Sequence, residues 1–491
     1  MFVSTNQVSS YEHVEELSEK LLLEKLHIAK ETMVIACSSN SKNCKVQILA
    51  ALPTCSRSVL NYQKQIIETI SEDFVDRNGA PFLNWSTDGD GTRRRLFDQL
   101  MQYDVDILSP IYSTVSEMKL LDQKVGKHGE TVNFDFKHLV KRLRTTLTTS
   151  RLKIGEKATL TKSDMKLLLE LSTNDSKLST NSLIDPADKQ NVPLATTFLI
   201  QFHKSTADPE AIKTAGFKMC HVYEELYLLR YVIDGLLATY AQVDSNIDEQ
   251  LQKVSCAAHV LMVLQREVRS FLPNQLYHDI QSTFQDIFFS AAKWKKHHPN
   301  LPFYIMLLGN DVLEQNFGNV RMKYRHSTID NLELIYSSRA IQLCSEMMAK
   351  HPEWFAKNRS IMSRLALDYL NLNNWTGNLQ LENVDIVTQW ELGRVKAEMV
   401  LKKCSSYRGQ VSEFGSLSTK GHTMLIPYGN RKIGVQALQE EEEEEEEEQT
   451  NHMEDQTTIA DQEMEIEDTP STSIINVVEQ SGCYDPQIEM E

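Results

Sequence analysis

The sequence predicts a helix-dominated chain in which an α/β core is interrupted by a large all-α insertion. Three observations predict it. Two strand-like runs, Pro81 to Thr87 and Thr131 to Phe136, each carry or meet an acidic residue near their end (Asp88, Asp135) and run straight into a helical pattern. The segments His221 to Tyr240, Asp248 to Leu272 and Gln275 to Trp294 then read as long helices rich in Leu, Tyr and Val. Finally, the apolar run Phe303 to Leu308 stops at Gly309 and Asn310, and a helix begins with Asp311 at the expected N-cap.

Composition sets the frame for these elements. A chain of 491 residues has room for two or three domains. Its 41% hydrophobic and 24% charged residues are those of a soluble globular protein. No apolar run is long enough to span a bilayer, and Met1 to Ser10 has no basic and apolar leader pattern, so an intracellular protein without membrane contact is expected. The eight cysteines are scattered and form no CxxC pair, which indicates reduced thiols and no zinc site. The net charge of -17 is concentrated at one end. From Glu440 to Glu491 there are 20 acidic residues and no Lys or Arg, leaving 51 basic against 48 acidic residues, about +3, in the rest.

In chain order, Tyr11 to Lys30 has helical apolar spacing, and Thr32 to Cys37 with Val46 to Leu52 reads as a hairpin. Ser58 to Val75 is helical, with Leu60, Ile66, Ile67, Ile70 and Phe74 as its stripe. The strand Pro81 to Thr87 leads into Asp88-Gly89-Asp90-Gly91-Thr92-Arg93-Arg94-Arg95. An acidic, glycine-containing strand end before a helix is where open α/β sheets place ligands, and the arginines would suit a polyanion. The plain alternative is a turn in which Asp90 or Thr92 caps the helix and the arginines are solvated. The next helix, Lys137 to Arg144, puts Lys137, Lys141 and Arg144 on one side, a candidate phosphate-contacting stripe or a solvated face. Ala158 to Leu171 is amphipathic and Thr197 to His203 is apolar. On the late helix, Glu314, Phe317, Gly318 and Arg321 share a face, while Asp311-x-x-Glu314 also has the form of a capping box.

Taken jointly, Ser-Thr-Asp88-Gly, then Phe134-Asp135-x-x-His138-Leu-x-Lys-x-x-Arg144, then Asn310-Asp311-x-Leu-Glu314-x-x-Phe317-Gly318-x-x-Arg321 resemble the P-element and hAT type of cut-and-paste transposases, across roughly Glu31 to Leu401. The resemblance implies an RNase-H-like core interrupted by a helical insertion. It implies two Mg2+ or Mn2+ ions that activate a nucleophile and stabilise the leaving oxygen of phosphoryl transfer on DNA. Matched by motif, Asp88 and Glu314 are the expected catalytic metal ligands. Asp90, Asp135, His138, Asp311 and Arg321 are expected near the site, and Arg93, Arg94, Arg95, Lys137, Lys141 and Arg144 are expected to contact nucleic acid. The implied organisation is a first core part at 1–150, the insertion at 151–300, a second core part at 301–404, a linker at 405–438 and an acidic disordered tail at 439–491.

The sequence departs from the family at its start. The first catalytic Asp belongs on a strand ahead of the hairpin, yet no Asp precedes Asp73, and only Phe2 to Thr5 offers a strand fragment. The core is therefore expected to lack its first strand, which is the central one, and the hairpin to be separated from the Asp88 strand. With no zinc-finger spacing ahead of the core either, the chain is expected to be a remnant or domesticated transposase, inactive alone. The alternative is a non-catalytic interaction protein on the same scaffold. No Gly-x-x-x-x-Gly-Lys-Ser/Thr occurs, so no nucleotide site is assigned to the insertion. The nine glutamates Glu440 to Glu448 repel one another and cannot form a core. They suit basic partner proteins or simple solubilisation, and DNA contact by the core makes a nuclear location the expectation.

Overall fold

The computed structural model describes residues 31–148 apart from 42–45, 55–59, 80 and 81; 152–154 and 158–171; 180–184; 191–314 apart from 269 and 270; 372–428 apart from 411–413; and isolated positions within 16–23 and 317–347. The readings made at Phe2 to Thr5, Arg321 and the acidic tail lie outside the described residues, as does most of the expected first helix, of which 16–20 is helical. The chain divides into units 1–438 and 439–491. The first is described below.

Two strands open it. β1 (Glu31–Cys37) and β2 (Gln47–Thr54) form the expected antiparallel hairpin, with a register shift between Ile35 and Ala36. α1 (Leu60–Asn78) follows. β3 (Asn84–Thr87) pairs in parallel with β6 (Thr131–Phe134), from Asn84 opposite Thr131 to Thr87 opposite Phe134. Between them lie α2 (Gly91–Leu100) and the short pair β4 (Tyr103–Asp104) and β5 (Lys124–Val125). Hairpin and parallel pair belong to separate two-stranded sheets, with no strand joining them among the described residues. A continuous RNase-H-like sheet is thus not what these residues form; the observed class is helix-dominated, with small sheets.

The strand expected at Thr131 to Phe136 stops at Phe134, because Asp135 turns the chain into α3 (Phe136–Thr148). Asp135 donates its N–H to the Thr87 carbonyl at 2.8 Å, its own carbonyl accepts from the Leu139 N–H, and its carboxylate accepts from the His138 N–H at 3.0 Å. This is an N-cap, the preferred use of Asp at a helix start. Leu139, Val140, Leu143 and Leu147 form the buried stripe of α3.

The amphipathic segment expected from Ala158 is divided. Ala158–Leu160 pairs as a strand with Leu152–Ile154, and the helix starts only at Lys162. Thr161 and Asp164 set that start by capping each other's end of the first turn.

The long helices are α4 (Val192–Ser205), α5 (Phe217–Tyr240), α6 (Ile247–Glu267), α7 (Asn274–His297) and, after the late motif, α8 (Ile386–Lys403). One hydrophobic core runs through all of them and through the strands. Phe288 of α7 meets Trp390 of α8 edge-on at 4.7 Å, and Ser255 of α6 donates to the Trp390 carbonyl at 2.6 Å. A fully buried aromatic ring of this kind contributes about 1.5–3 kcal/mol relative to exposure.

α7 carries a second, polar stripe at Gln275, Asp279, Thr283, Asp286, Ser290 and Lys293, all buried. Steps of four, four, three, four and three residues keep it on one face, and that face lies on β6. Thr283 Oγ1 accepts the Phe134 N–H at 3.1 Å. Asp286 accepts from Thr131, Asn133 and Asn84, and Ser290 donates to it. Only the Phe134 backbone is met in this way; the Asp286 bonds hold the Thr131, Asn133 and Asn84 side chains.

Candidate metal centre at the end of β6

β3 and β6 end side by side, and each delivers an acidic residue. At the end of β3, Thr87 Oγ1 donates to Asp88 Oδ1 at 3.3 Å and Asp88 is exposed. Gly89 then turns with φ +81, and a Cβ there would meet the Phe134 ring at 3.0 Å, so glycine is required twice over. Asp90 caps α2 by accepting the Arg93 N–H at 3.0 Å, as the plain alternative had it. Arg95 is exposed, but Arg93 and Arg94 are not simply solvated. Arg93 donates to Gln63 Oε1 at 2.8 Å and lies against Met33 Sδ. Arg94 is buried, forking onto Asp279 with distances from 2.9 to 3.2 Å and reaching Gln275 at 2.7 Å.

Asp88 and Asp90 line a cavity of about 380 Å³ together with residues of β1 and β3 and with Gly309, Asn310 and Leu313. Both flanking strands pair on one side only among the described residues.

At the end of β6 the arrangement differs. Asp135 is fully buried, and its Oδ2 meets the His138 Nδ1 at 2.8 Å. Its other oxygen, Oδ1, is buried with no hydrogen-bond partner among the described residues. Gly309 passes close by: a Cβ there would lie 3.7 Å from Asp135 Oδ1. The next helix brings Glu314. One ligand atom each from Asp135, His138 and Glu314 lie within 4.8 Å of one another, and the His138 and Glu314 side chains are partly exposed, at 33% and 34%.

The capping question at 311–314 has a definite outcome. The Asn310 carbonyl accepts from the Leu313 and Glu314 N–H groups at 2.9 and 3.1 Å, so Asn310 holds the cap position expected for Asp311. The Glu314 carboxylate accepts instead from Lys137 Nζ at 2.8 Å. The same amine lies 2.5 Å from Asp311 Oδ1, on a side chain only 4% exposed. Burial, and next the charge of Asp135, push the Asp311 carboxyl up to about 6, with Lys137 opposing. For Lys137, burial disfavours the charge, but the Asp311 and Glu314 carboxylates outweigh it and hold the amine above its ordinary range.

The predicted residues therefore separate. Asp135, His138, Asp311 and Glu314 come together with Lys137, while Asp88 is not a member of the Asp135–His138–Glu314 group and Arg321 lies outside the described residues. Of the expected nucleic-acid contacts, Arg94 and Arg144 are buried and Lys137 is held by two carboxylates, so in this conformation these three present no cationic surface. Sequence reasoning passed over Asp279, which neutralises Arg94 and Arg142, and gave Lys137 to phosphate contact instead of the site.

The donor set can hold a cation. Two carboxylates and an imidazole, one of the carboxylates with a buried oxygen that has no partner among the described residues, form a mixed oxygen and nitrogen donor set. Such a set suits Mn2+ or Zn2+ better than Mg2+, which prefers oxygen and water. Comparison with family models, with curated proteins and with solved structures gives no match for this chain. Among the described residues no helix is long and apolar enough to cross a membrane.

Proposed function

We propose that this chain is a transposase-like protein, a remnant or domesticated form, that has kept a divalent-cation site at the end of β6 and does not cleave DNA by itself. The observation that carries the reading is the buried, unpartnered Asp135 Oδ1 beside His138 and Glu314. An orphan carboxylate oxygen costs about 1–3 kcal/mol, which a bound cation would offset. When bound, the metal would supply Lewis-acid activation of a phosphoryl group.

The chain's own residues explain the lack of cleavage. Phosphoryl transfer by paired metals needs a second carboxylate-bound ion about 4 Å from the first, whereas Asp88 stands outside the group and Lys137 already neutralises Asp311 and Glu314. DNA as a partner, a nuclear location and basic proteins as ligands of the acidic tail belong to the same proposal.

The test is a plasmid-nicking and strand-transfer assay with the full chain in Mg2+ or Mn2+, beside Mn2+ binding. The expected result is no cleavage above the buffer control, together with Mn2+ binding that weakens in Glu314→Gln. Metal-dependent cleavage abolished by Glu314→Gln would overturn the inactive reading. Unchanged Mn2+ binding in that variant would overturn the site.

A further inference from the structure

We infer that Lys137 is a tethered cation that stands in for a metal ion at this site, so that lysine and a divalent ion exclude one another. The inference rests on the proposed cation site and adds its regulation.

The geometry makes the substitution explicit. Lys137 follows the N-cap Asp135 by two residues, so the first turn of α3 carries a ligand, the competing amine and a second ligand at 135, 137 and 138. Its stem is largely covered, at 16% exposed, and its ammonium bridges Asp311 Oδ1 at 2.5 Å and Glu314 Oε2 at 2.8 Å. Asp311 is a buried carboxylate that needs a compensating charge, and Lys137 provides it. Glu314 is common to both arrangements, since it is the lysine's partner and one of the three atoms grouped for a metal.

A dication held by Asp135, His138 and Glu314 would face that ammonium a few ångströms away, and like charges in a partly buried site repel strongly. Asp135 Oδ1 lies beyond the lysine's contacts and has no hydrogen-bond partner among the described residues, so the amine fills the charge role of a metal without satisfying the whole donor set. Binding a metal requires Lys137 to leave Glu314.

The experiment is calorimetric titration of Mn2+ into full chains of wild type, Lys137→Met, Asp135→Asn and the double variant, each checked by circular dichroism. The glutamate run is the same in all four, so any Mn2+ it takes up is common to them and differences report the site. The expected result is at least tenfold tighter site binding in Lys137→Met than in wild type, lost when Asp135→Asn is added. Should Lys137→Met not fold, Lys137→Gln removes the charge and keeps a hydrogen-bond donor, with the same expectation. Equal or weaker binding without the lysine charge overturns the inference and leaves the metal site standing. If neither wild type nor the lysine variants exceed Asp135→Asn, both readings fail.

Discussion

The ends of β3 and β6 are neighbours built from similar parts, yet they treat charge in opposite ways. Behind β3, Arg94 and Arg142 close on Asp279, with Gln275 Oε1 accepting a further N–H of Arg94, and all but Arg142 are nearly fully buried. Beyond β6, Asp135 keeps an oxygen without a partner, and three carboxylates share one lysine and one histidine. A buried charge with every bond made holds a structure together. One that is left incomplete costs stability and is a place to look for a ligand.

Breaking the closed side should have the largest effect. Asp279→Ala leaves the Arg94 guanidinium buried without its carboxylate, and a loss of about 3–5 kcal/mol in urea unfolding is expected. A loss under about 1 kcal/mol would mean that Arg94 escapes to solvent and that the two ends are alike.

Next comes the pH dependence of the α7 polar stripe. Burial raises Asp286 to about 6 despite its hydrogen bonds to Thr131, Asn133 and Ser290. A carboxyl with a raised folded pKa binds its proton more tightly when folded. Its contribution is therefore fully present below the ordinary value of 3.8 and is lost as pH rises through about 6. Between pH 4 and 7, wild type should lose about 2 kcal/mol relative to Asp286→Asn. Parallel pH profiles for the two proteins would contradict this.

These two aspartates also mark where the sequence was silent. The strand end at Asp88 was legible because an acidic residue between a strand-like run and a helical run is a local pattern, while the strand before Asp135 was expected to run on to Phe136. The hairpin was legible for the same kind of reason, and so were the three long helices. Asp279 and Asp286 sit inside a long helix, where polar residues at steps of three and four look like a solvated face. Only contact with Arg94, Thr131 and Asn133, some 150 residues or more away in sequence, reveals the face as buried. The site was legible in part: Asp135, His138, Asp311 and Glu314 belong together, while nothing local told that Lys137 would turn inward to two carboxylates or that Asp88 would stand apart.

The smallest stability effect belongs to the open side. Asp135→Asn keeps a good N-cap for α3 and trades the loss of the His138 pair against removal of a buried charge that is only partly satisfied, so unfolding free energy should change by less than about 1 kcal/mol. A loss of several kcal/mol would make Asp135 a structural group like Asp279.

Pulsed electron paramagnetic resonance on the full chain in millimolar Mn2+ tests the account's central claim most directly. Wild type should show nitrogen coupling to the bound ion from the His138 imidazole, and Asp135→Asn should lose it. A spectrum without nitrogen coupling, or a coupling that survives in Asp135→Asn, would contradict a cation site at the end of β6.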